Sequence, residues 1–586
     1  MKVSDYIVSF LALKWSHTIF SLSGGMISHL EDSIFMNPDT TLVSVKHEQA
    51  GAFAAEGYTR VSGKSAVAMG TSGPWATNMI TGIASAYFDS IPVLYITGQV
   101  RTDELTPSTS WVRQTGFQET KIIPIVTPIT KYAHHVADIS ELRYELEKAY
   151  HLMHEGRKWP AVLDIPMNIQ RLDIDPKVLP SYYESDEYSE RIRRKKDISQ
   201  EQIWSIISDI QSAKKPIILL WGGIRLADAS MKLRTFTDCT HIPVVASLMG
   251  IDAVNHDYPG YIGMIGSYGI RPANILLSHA DLVIVLGSRL DLRQTGAMKT
   301  EFIKNGKIIH IDIDDAELGY NIKHTQVKIN VDVNTFLDEM LLQTDSYPEY
   351  SHWHRQIAAI QRLLPQYPTE DLYEYIHPNY FFHRLSEIME SDIIYVNDVW
   401  QNQMWSSQSL KLKKWDRLLN CGWLGSMGFS LPSALWASFA PDVKRVISIN
   451  GDGGFQMNMQ ELETISSRNL SIGIIVMNNK SLGMVREFQD TYFEGRNIGT
   501  VIGYSCPDLS LVAMTYRMPY FRIEKASDLD EVFSKIKPIP WPYILEVMIS
   551  SKAIVEPKML YGSTLDKQSP ALPEDIEAQI QTIFSS

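Results

Sequence analysis

The residues best suited to chemistry lie in a strand–turn–helix–strand segment in the last third of the chain. One apolar run ends at GDGG (451–454), and a second apolar run, 24 residues beyond the GDG, ends at NN (478–479). Parallel strands end at the same edge of a sheet, so Asp452 and Asn479 are expected side by side. A carboxylate and an amide oxygen suit a hard divalent cation, and the glycines let backbone N–H groups approach an anion. A lone GDG would be an ordinary βαβ turn, but the full spacing favours a cation and anion site.

The elements that must position these residues follow an α/β pattern. Apolar β-rich runs alternate with helix-like segments almost throughout, which predicts parallel sheets flanked by helices. A charged, Tyr-rich stretch (179–199) without periodicity predicts a linker, and a Pro- and Tyr-rich stretch (347–374) predicts a second junction. The predicted domains are 1–180, 198–345 and 370–551, followed by an extended C-terminal arm, 552–586. The predicted strands are 64–70, 92–97, 161–165, 216–220, 282–286 and 307–311.

Composition excludes several classes of protein. The chain has 586 residues, 45% hydrophobic and 21% charged, which argues against a disordered protein. Its net charge of −13, with no basic run longer than residues 193–196, argues against nucleic acid as a partner. No apolar stretch reaches membrane-spanning length and no signal-peptide pattern opens the chain. Three widely spaced cysteines favour neither disulfides nor zinc, so we expect a cytoplasmic protein that acts on small molecules.

The segment around GDGG and NN resembles the cofactor signature of thiamine-diphosphate (ThDP) enzymes. Further segments continue the resemblance in order along nearly the whole chain, and together they look like the acetolactate synthase branch. The resemblance implies a three-domain ThDP-enzyme fold with pyrimidine-binding, middle and diphosphate-binding domains. It also implies Mg²⁺ held by Asp452, Asn479 and the carbonyl of Ser481. The segments that carry it are 42–51, 71–78, 96–100, 116–119, 164–166 and 425–429.

Glu48 is the first candidate for catalysis. In the family that the chain resembles, a glutamate against the aminopyrimidine of ThDP promotes removal of the reactive C2 proton. A site sheltered from water suits that role. The same resemblance places Phe117 and Gln118 beside the reacting carbon, and Met427 as a wedge beneath the cofactor. The alternatives are a solvated helix face for Glu48, a polar loop for 117–118 and a core position for Met427. The implied ThDP-binding residues are Pro74, Asn78, Gln401, Asn402, Gly425, Met427, Gly451, Asp452, Gly453, Gly454, Asn479, Gly483 and Met484.

The middle block implies a second cofactor, FAD. The segment 287–296 looks like the FAD-binding segment of acetolactate synthases, with support from 221–223, 247–250 and 310–314. The alternative is a degenerate middle domain whose glycine turns bind nothing, but Arg289 and Arg293 favour bound FAD. The implied FAD-binding residues are Arg157, Gly222, Gly223, Ser247, Leu248, Gly287, Arg289, Asp291, Arg293, Asp312, Ile313 and Asp332.

The chain departs from acetolactate synthases around the acceptor pocket. Trp75 and Trp400 stand where those enzymes have glycine, Asn402 stands in place of a histidine, and Phe488 in place of a tryptophan. The opening segment 24–30 and the tail segments 556–559 and 565–570 look more like the flavin-containing ThDP carboligases of branched-chain deoxysugar (yersiniose-type) biosynthesis. The donor half of the chemistry is therefore expected intact, and the acceptor is in doubt.

These observations give one main expectation of function and two alternatives. The main expectation is a carboligase that decarboxylates pyruvate and transfers the two-carbon unit to a ketone acceptor, a nucleotide-activated keto-deoxysugar. The first alternative is an acetolactate synthase that joins two 2-ketoacids. The second is a catalytically inactive, cofactor-binding subunit, against which the presence of Glu48, Asp452 and Asn479 argues. The resemblance further implies a homodimer or homotetramer with active sites between chains.

Overall fold

The computed structural model describes every residue except 15, 108, 194–195, 320–321, 323–325, 344–346, 366–374, 540 and 586. Within the described residues, each of the three predicted blocks forms a parallel sheet of six strands flanked by helices. This confirms the α/β, three-domain fold class. Among the helices of the described residues, we find none with the length and apolar character that spanning a membrane requires.

The first sheet has the strand order β2-β1-β3-β4-β6-β5. Its strands are β1 (Thr18–Ser21), β2 (Thr41–Ser44), β3 (Val67–Gly70), β4 (Leu94–Gln99), β5 (Tyr132–His135) and β6 (Ala161–Pro166). Its helices are α1 (Val3–Leu13), α2 (Ser28–Met36), α3 (Glu48–Ser62), α4 (Pro74–Asn78), α5 (Ile80–Phe88), α6 (Ile122–Val126), α7 (Leu142–His154) and α8 (Met167–Gln170). A further helix, α9 (Asp186–Arg193), leads to the second domain.

The second sheet has the order β12-β11-β10-β7-β8-β9, which is the 3-2-1-4-5-6 order of dinucleotide-binding domains read from its other edge. Its strands are β7 (Pro216–Leu220), β8 (Val244–Ala246), β9 (Tyr261–Met264), β10 (Leu282–Leu286), β11 (Lys307–Asp312) and β12 (Gln326–Asn330). Its helices are α10 (Gln200–Ser212), α11 (Gly223–Leu226), α12 (Ser230–Thr240), α13 (Arg271–Ser278), α14 (Leu292–Thr295), α15 (Asp315–Leu318) and α16 (Val333–Leu341), and α17 (Ser351–Leu363) follows.

The third sheet has the order β14-β13-β15-β16-β18-β17, which repeats the order of the first sheet strand for strand. Its strands are β13 (Ile393–Asn397), β14 (Arg417–Leu419), β15 (Arg445–Gly451), β16 (Ile472–Asn478), β17 (Tyr520–Ile523) and β18 (Tyr543–Met548). Its helices are α18 (Pro378–Ile388), α19 (Gln401–Ser409), α20 (Ser430–Ala437), α21 (Asp452–Asn458), α22 (Leu462–Ser467), α23 (Gly483–Tyr492), α24 (Leu509–Thr515) and α25 (Leu529–Ile536). The arm holds β19 (Lys558–Met559), β20 (Gln568–Ser569) and α26 (Glu574–Ser585).

The first and third domains pack through α3 and α20. The two helices come close because Gly57 has no side chain, and a Cβ there would lie 2.6 Å from the Ser433 carbonyl oxygen. The Ser433 hydroxyl also donates to the Phe53 carbonyl oxygen at 3.1 Å. One cluster of buried apolar side chains joins these two domains, and another joins the second domain to the opposite face of the third sheet. Buried apolar side chains therefore cross both of these domain boundaries.

Three segments predicted as irregular contain helices. The predicted linker 179–199 contains α9. Tyr182, which precedes this helix, is fully buried, so the segment packs back on the first domain. The predicted junction 347–374 contains α17, and its last residues, 366–374, lie outside the described residues. The arm was expected to be extended throughout, but it ends in α26, which packs against α17.

Candidate functional site

A cavity of about 570 Å³, open at its mouth, lies where the third sheet changes direction. It forms at the carboxyl ends of β13, β15 and β16, the place where open α/β sheets bind ligands. We call it the GDG cavity. Its lining includes Asp398, Trp400, Gln401, Asn402, Met427, Gly451, Asp452, Gly453, Gly454, Asn479, Ser481, Gly483 and Met484. The spacing of GDG and NN therefore does bring Asp452 and Asn479 to one site.

Asp452 is the charged centre of the GDG cavity. It opens α21 directly after β15, and only 2% of it is exposed. Burial raises the pKa of its carboxyl to about 7, and a hydrogen bond from the Tyr504 hydroxyl to Oδ2, at 2.9 Å, opposes that shift. A buried carboxylate at this position is stabilised as an anion by a bound cation.

The turn after β16 supplies oxygen atoms on the other side of the cavity. Asn479 Oδ1 accepts a hydrogen bond from the Ser481 backbone N–H at 3.1 Å, and Asn479 Nδ2 donates to Gln401 Oε1 at 3.1 Å. The Ser481 Oγ is buried and makes no hydrogen bond to any residue that the structure describes. Carboxylate, amide and backbone carbonyl oxygens are ligands for a hard divalent cation, so Asp452, Asn479 and the carbonyl of Ser481 fit the metal that the sequence implies.

Glycines leave space around the turns after β15 and β16. A Cβ on Gly453 would lie 2.6 Å from the Leu482 side chain, and one on Gly483 would lie 2.6 Å from Asn479 Nδ2. Side chains at these positions would displace the neighbouring side chains at the cavity. The glycines therefore keep room for a group at the start of α21 and α23, where helix N-termini favour anions.

Asp398 is a cavity residue that the sequence analysis missed. It directly follows β13, and its carboxylate accepts hydrogen bonds from the backbone N–H groups of Val399, at 2.7 Å, and Gly428, at 2.9 Å. Burial raises its pKa to about 7. By holding Gly428, Asp398 fixes the loop that carries Gly425 and Met427 against the cavity. Its position after an apolar strand was the signal that could have identified it.

Glu48 lies outside the GDG cavity of its own chain. It is the first residue of α3 and is 6% exposed, and the Asn78 amide donates to its Oε2 at 2.9 Å. Gln118 contacts Gly73, which immediately precedes Pro74, whereas the Phe117 side chain is 81% exposed. The structure thus places Glu48 beside Asn78, and Gln118 beside the start of α4. Neither Glu48 nor Gln118 lines the cavity that holds Asp452.

A second cavity, also of about 570 Å³, lies between β7 and β10, where the order of the second sheet reverses. Gly223 and Gly287 let the two turns approach closely, because a Cβ on Gly223 would lie 2.6 Å from the Gly287 carbonyl oxygen. Gly222 precedes this contact and caps α11. The predicted residues that line the cavity are Arg157, Gly223, Gly287, Arg289, Asp312, Ile313 and Asp332.

An adjoining cavity shares Trp221 with the second and collects the remaining predicted residues, Ser247, Leu248, Asp291 and Arg293. Trp423 lines it too, and the Arg289 guanidinium stacks 3.9 Å from the centre of that indole ring. Among the described residues, neither the buried Ser247 Oγ nor Arg289 Nε makes a hydrogen bond. Paired cavities with such polar atoms fit a long, two-part ligand such as a dinucleotide.

Arg157 anchors the far end of the second cavity. Its guanidinium donates to the Ser90 hydroxyl at 3.0 Å and pairs with Asp314, at 3.2 Å, and with Glu317. Burial raises the pKa of the nearby Asp312 carboxyl to about 7. Ser90 and Trp423 were not predicted, because each lies outside the segments that carry the FAD resemblance and reaches the cavity only through the tertiary fold.

Comparison with known proteins agrees with this geometry. Residues 1–125 match the N-terminal TPP binding domain of thiamine pyrophosphate enzymes, 203–340 the central domain, and 398–547 the C-terminal TPP binding domain. The chain is 33% identical to the chloroplastic acetolactate synthase of Arabidopsis thaliana, over 96% of this chain and 84% of that protein.

Two bacterial relatives show the same level of likeness. The acetolactate synthase large subunit of Lactococcus lactis is 33% identical, with 94% of this chain and 92% of that protein covered. The large subunit of acetolactate synthase isozyme 1 of Escherichia coli is 32% identical, with 96% of each chain covered. The chain therefore belongs to the thiamine-diphosphate-dependent enzymes, in the acetolactate synthase-like branch of that family.

Proposed function

We propose that this enzyme decarboxylates pyruvate and joins the two-carbon remainder to a second 2-ketoacid, as an acetolactate synthase does. The observation that carries the proposal is the convergence of Asp452, Asn479 and Ser481 in one cavity at the carboxyl ends of parallel strands. The likeness to acetolactate synthases over nearly the whole chain supports this acceptor class. The reaction converts two pyruvate anions and one proton into acetolactate and carbon dioxide.

In this proposal, the GDG cavity binds ThDP and Mg²⁺. Asp452, Asn479 and Ser481 hold the cation, and the N–H groups freed by Gly453 and Gly454 bind the diphosphate. Gly425 and Met427 orient the opposite end of the cofactor. When bound, ThDP supplies the electron sink for cleavage of the C1–C2 bond of pyruvate. The Glu48 carboxyl exchanges a proton with the cofactor's ring nitrogen, and the 6% exposure of Glu48 keeps competing water away.

We further propose that two chains form each active site. Glu48 does not line the GDG cavity of its own chain, so a second copy must supply it. Apolar side chains exposed beside each half of the site support this arrangement. They are Trp111, Val112 and Phe117 in the first domain, and Val485, Phe488 and Tyr492 in the third.

The paired cavities of the second domain are assigned to FAD. The 3-2-1-4-5-6 strand order, the Gly223–Gly287 approach and the buried Ser247 Oγ without a hydrogen bond among the described residues support a dinucleotide there. No net oxidation or reduction occurs in the proposed reaction, so we assign the flavin a structural role.

A second candidate acceptor is a nucleotide-activated keto-deoxysugar. The observation in its favour is the aromatic character of the acceptor region, where Trp400 lines the GDG cavity and Phe488 lies exposed on α23. Aromatic faces suit the apolar faces of sugar rings and the stacking of nucleobases. In this case the same two-carbon unit would bond to the ketone carbon of the sugar.

Product analysis tests both candidates. The enzyme with ThDP, Mg²⁺, FAD and pyruvate is assayed for acetolactate, with and without a CDP-linked 4-keto-3,6-dideoxysugar. Fast acetolactate formation from pyruvate alone supports the synthase. Slow self-coupling together with a two-carbon adduct on the sugar supports the second candidate.

The Glu48→Gln variant tests whether the protein is a catalyst at all. We expect it to abolish carbon dioxide release from pyruvate while ThDP still binds. Equal rates in variant and wild type would contradict the proposed role of Glu48. Absence of release in both would leave a cofactor-binding subunit.

A further inference from the structure

A histidine and two glutamates meet at one edge of the first sheet. His134 lies on β5, the last strand at that edge, and Glu141 and Glu145 lie at the start of α7. One ring nitrogen of His134 and one oxygen of each carboxylate all lie within 4.8 Å of one another. We call these three side chains the His134 cluster. None of them lines the GDG cavity or the paired cavities of the second domain.

Regular secondary structure brings the three side chains together. Successive residues of a strand point to opposite faces, so His135 and His134 have different partners. His135 Nδ1 lies 2.8 Å from Asp164 Oδ2, whereas His134 Nε2 lies 3.4 Å from Glu141 Oε2. Glu141 and Glu145 are four residues apart at the start of α7 and therefore project from the same face.

The spacing of these atoms suits a shared metal ion. Two ligands that each lie about 2.1 Å from a tetrahedral Zn²⁺ are about 3.4 Å apart. His134 Nε2 and Glu141 Oε2 have this separation, which is long for a hydrogen bond between a nitrogen and an oxygen. The ligand oxygen of Glu145 needs to move by about 1.4 Å at most to reach the same spacing. The side chains of His134 and Glu141 are 30% and 31% exposed, so an ion and a water can enter from solvent.

The charge of the cluster also favours a cation. Like charges four residues apart on a helix repel each other, and Glu145 is only 8% exposed, which makes its charge more costly. Among the described residues, Glu141 forms an ion pair with His134 alone, and Glu145 forms none. The basic side chains in the first half of α7 pair with other carboxylates, Arg143 with Glu147 at 2.9 Å and Lys148 with Glu187 at 2.8 Å.

Neutral donors hold each carboxylate in place. The backbone N–H of Asp138 donates to Glu141 Oε1 at 3.0 Å, which leaves Oε2 on the side of His134. The Tyr132 hydroxyl donates to Glu145 Oε2. Hydrogen bonds of this kind orient the ligands of a metal without neutralising them.

We propose that His134, Glu141 and Glu145 bind one Zn²⁺ ion, with water as the fourth ligand. The imidazole nitrogen favours Zn²⁺ over Mg²⁺ and Ca²⁺, which prefer oxygen ligands alone. The bound ion fastens the edge strand β5 to α7 and stabilises the first domain, because it binds only when the three elements are folded together. The site takes no part in the proposed reaction and does not depend on it.

Calorimetric titration with Zn²⁺ tests the site in the full chain. The protein is freed of cofactors and carries Asp452→Asn, so that the GDG cavity does not compete for the ion. We expect one equivalent of Zn²⁺ to bind and to raise the melting temperature. His134→Gln, added to this protein, should weaken binding by about tenfold or more, since even outer partners of a metal contribute on that scale. Glu145→Gln, which keeps an acceptor for the Tyr132 hydroxyl, should do the same.

His352→Gln is the matched control, because His352 is an exposed histidine on α17. It should bind Zn²⁺ as tightly as the protein with Asp452→Asn alone. Melting temperatures in the presence of EDTA show that each variant is folded, and His134→Gln is the decisive variant because that side chain is partly exposed. The proposal is overturned if the protein with Asp452→Asn alone binds no Zn²⁺, or if His134→Gln and His352→Gln bind the ion equally.

Discussion

At the scale of single residues, the site combines buried carboxyls with only a few hydrogen-bond donors around them. Asp398 and Asp452 both line the GDG cavity, and burial raises the pKa of each to about 7. Their partners are backbone N–H groups and one tyrosine hydroxyl, not basic side chains. Cation binding therefore depends on how these neutral donors hold each carboxylate.

Tyr504→Phe should weaken Mg²⁺ binding by about tenfold, since groups that orient a metal ligand contribute on that scale. The hydroxyl donates to Asp452 Oδ2 and so restricts the orientation of the carboxylate that would hold the cation. Calorimetric titration of Mg²⁺ in the presence of ThDP measures the change. Tyr561→Phe is the control, because Tyr561 is 95% exposed. Equal affinity in Tyr504→Phe and wild type would refute the orienting role.

Glu461 should make the cofactor-free protein less stable as pH rises. Burial raises its pKa from 4.5 to about 7, so the folded state binds the proton more tightly than the unfolded state. Stability is then fully present below pH 4.5 and falls until about pH 7, by about 3 kcal/mol at most. Glu461→Gln keeps an acceptor for the Lys46 N–H, at 2.8 Å, and should remove this part of the pH dependence.

Melting curves at pH 5 and pH 8 measure the effect, as the difference in melting temperature between the two. The exposed neighbour Glu463, changed to Gln, should behave as wild type. An unchanged difference in Glu461→Gln would mean that the carboxyl is ionised in the folded protein at pH 5.

The proposed cation ligands could be predicted from sequence, whereas the residues that contact these ligands could not. Asp452 and Asn479 follow two strands in a recognisable spacing, and parallel strands bring such residues together. Tyr504 and Asp398 reach the cavity from a loop and from a strand end that carry no motif. Their positions depend on tertiary packing, which local spacing does not encode.

At the scale of elements, the strands were predicted more accurately than the connecting segments. The strands β7 and β10 match their predicted bounds, because each is a short apolar run buried on both faces. The segment containing α9 was predicted to be irregular because it is polar and shows no apolar period. This segment is held by contacts between tyrosine rings and lysine side chains. A search for apolar periodicity does not detect such contacts.

Lys148 should hold this segment on the first domain. Its ammonium lies 5.4 to 6.0 Å from the rings of Tyr132, Tyr144 and Tyr182 and pairs with Glu187 at 2.8 Å. Lys148→Met should raise the rate of tryptic cleavage after Arg191 about fivefold, because such contacts contribute about 1 kcal/mol or more. Lys177→Met, at an exposed position, is the control. Unchanged cleavage would show that the apolar contacts of Tyr182 alone hold the segment.

At the scale of the whole molecule, the separation of Glu48 from the GDG cavity supports the proposed assembly of two chains around each site. The domain count and the α/β class could be predicted from sequence, and the resemblance to ThDP enzymes also implies active sites between chains. Both halves of the site end in exposed apolar side chains. Activity should therefore require two chains.

Complementation tests this requirement. Glu48→Gln and Asp452→Asn should each be inactive alone, and chains denatured together and refolded in equal amounts should recover about a quarter of wild-type activity if the dimer carries two shared sites. In a mixed dimer, one site carries both substitutions and the other carries neither. No recovery after mixing, with dimers formed, would mean that Glu48 and Asp452 act within one chain.

The identical strand order of the first and third sheets has a further consequence. The loop after β2 carries Glu48, and the loop after β14, its counterpart, carries Gly425 and Met427. A duplicated ancestral unit would leave such a pattern, with one copy keeping the anion-binding turn and the other acquiring the acid.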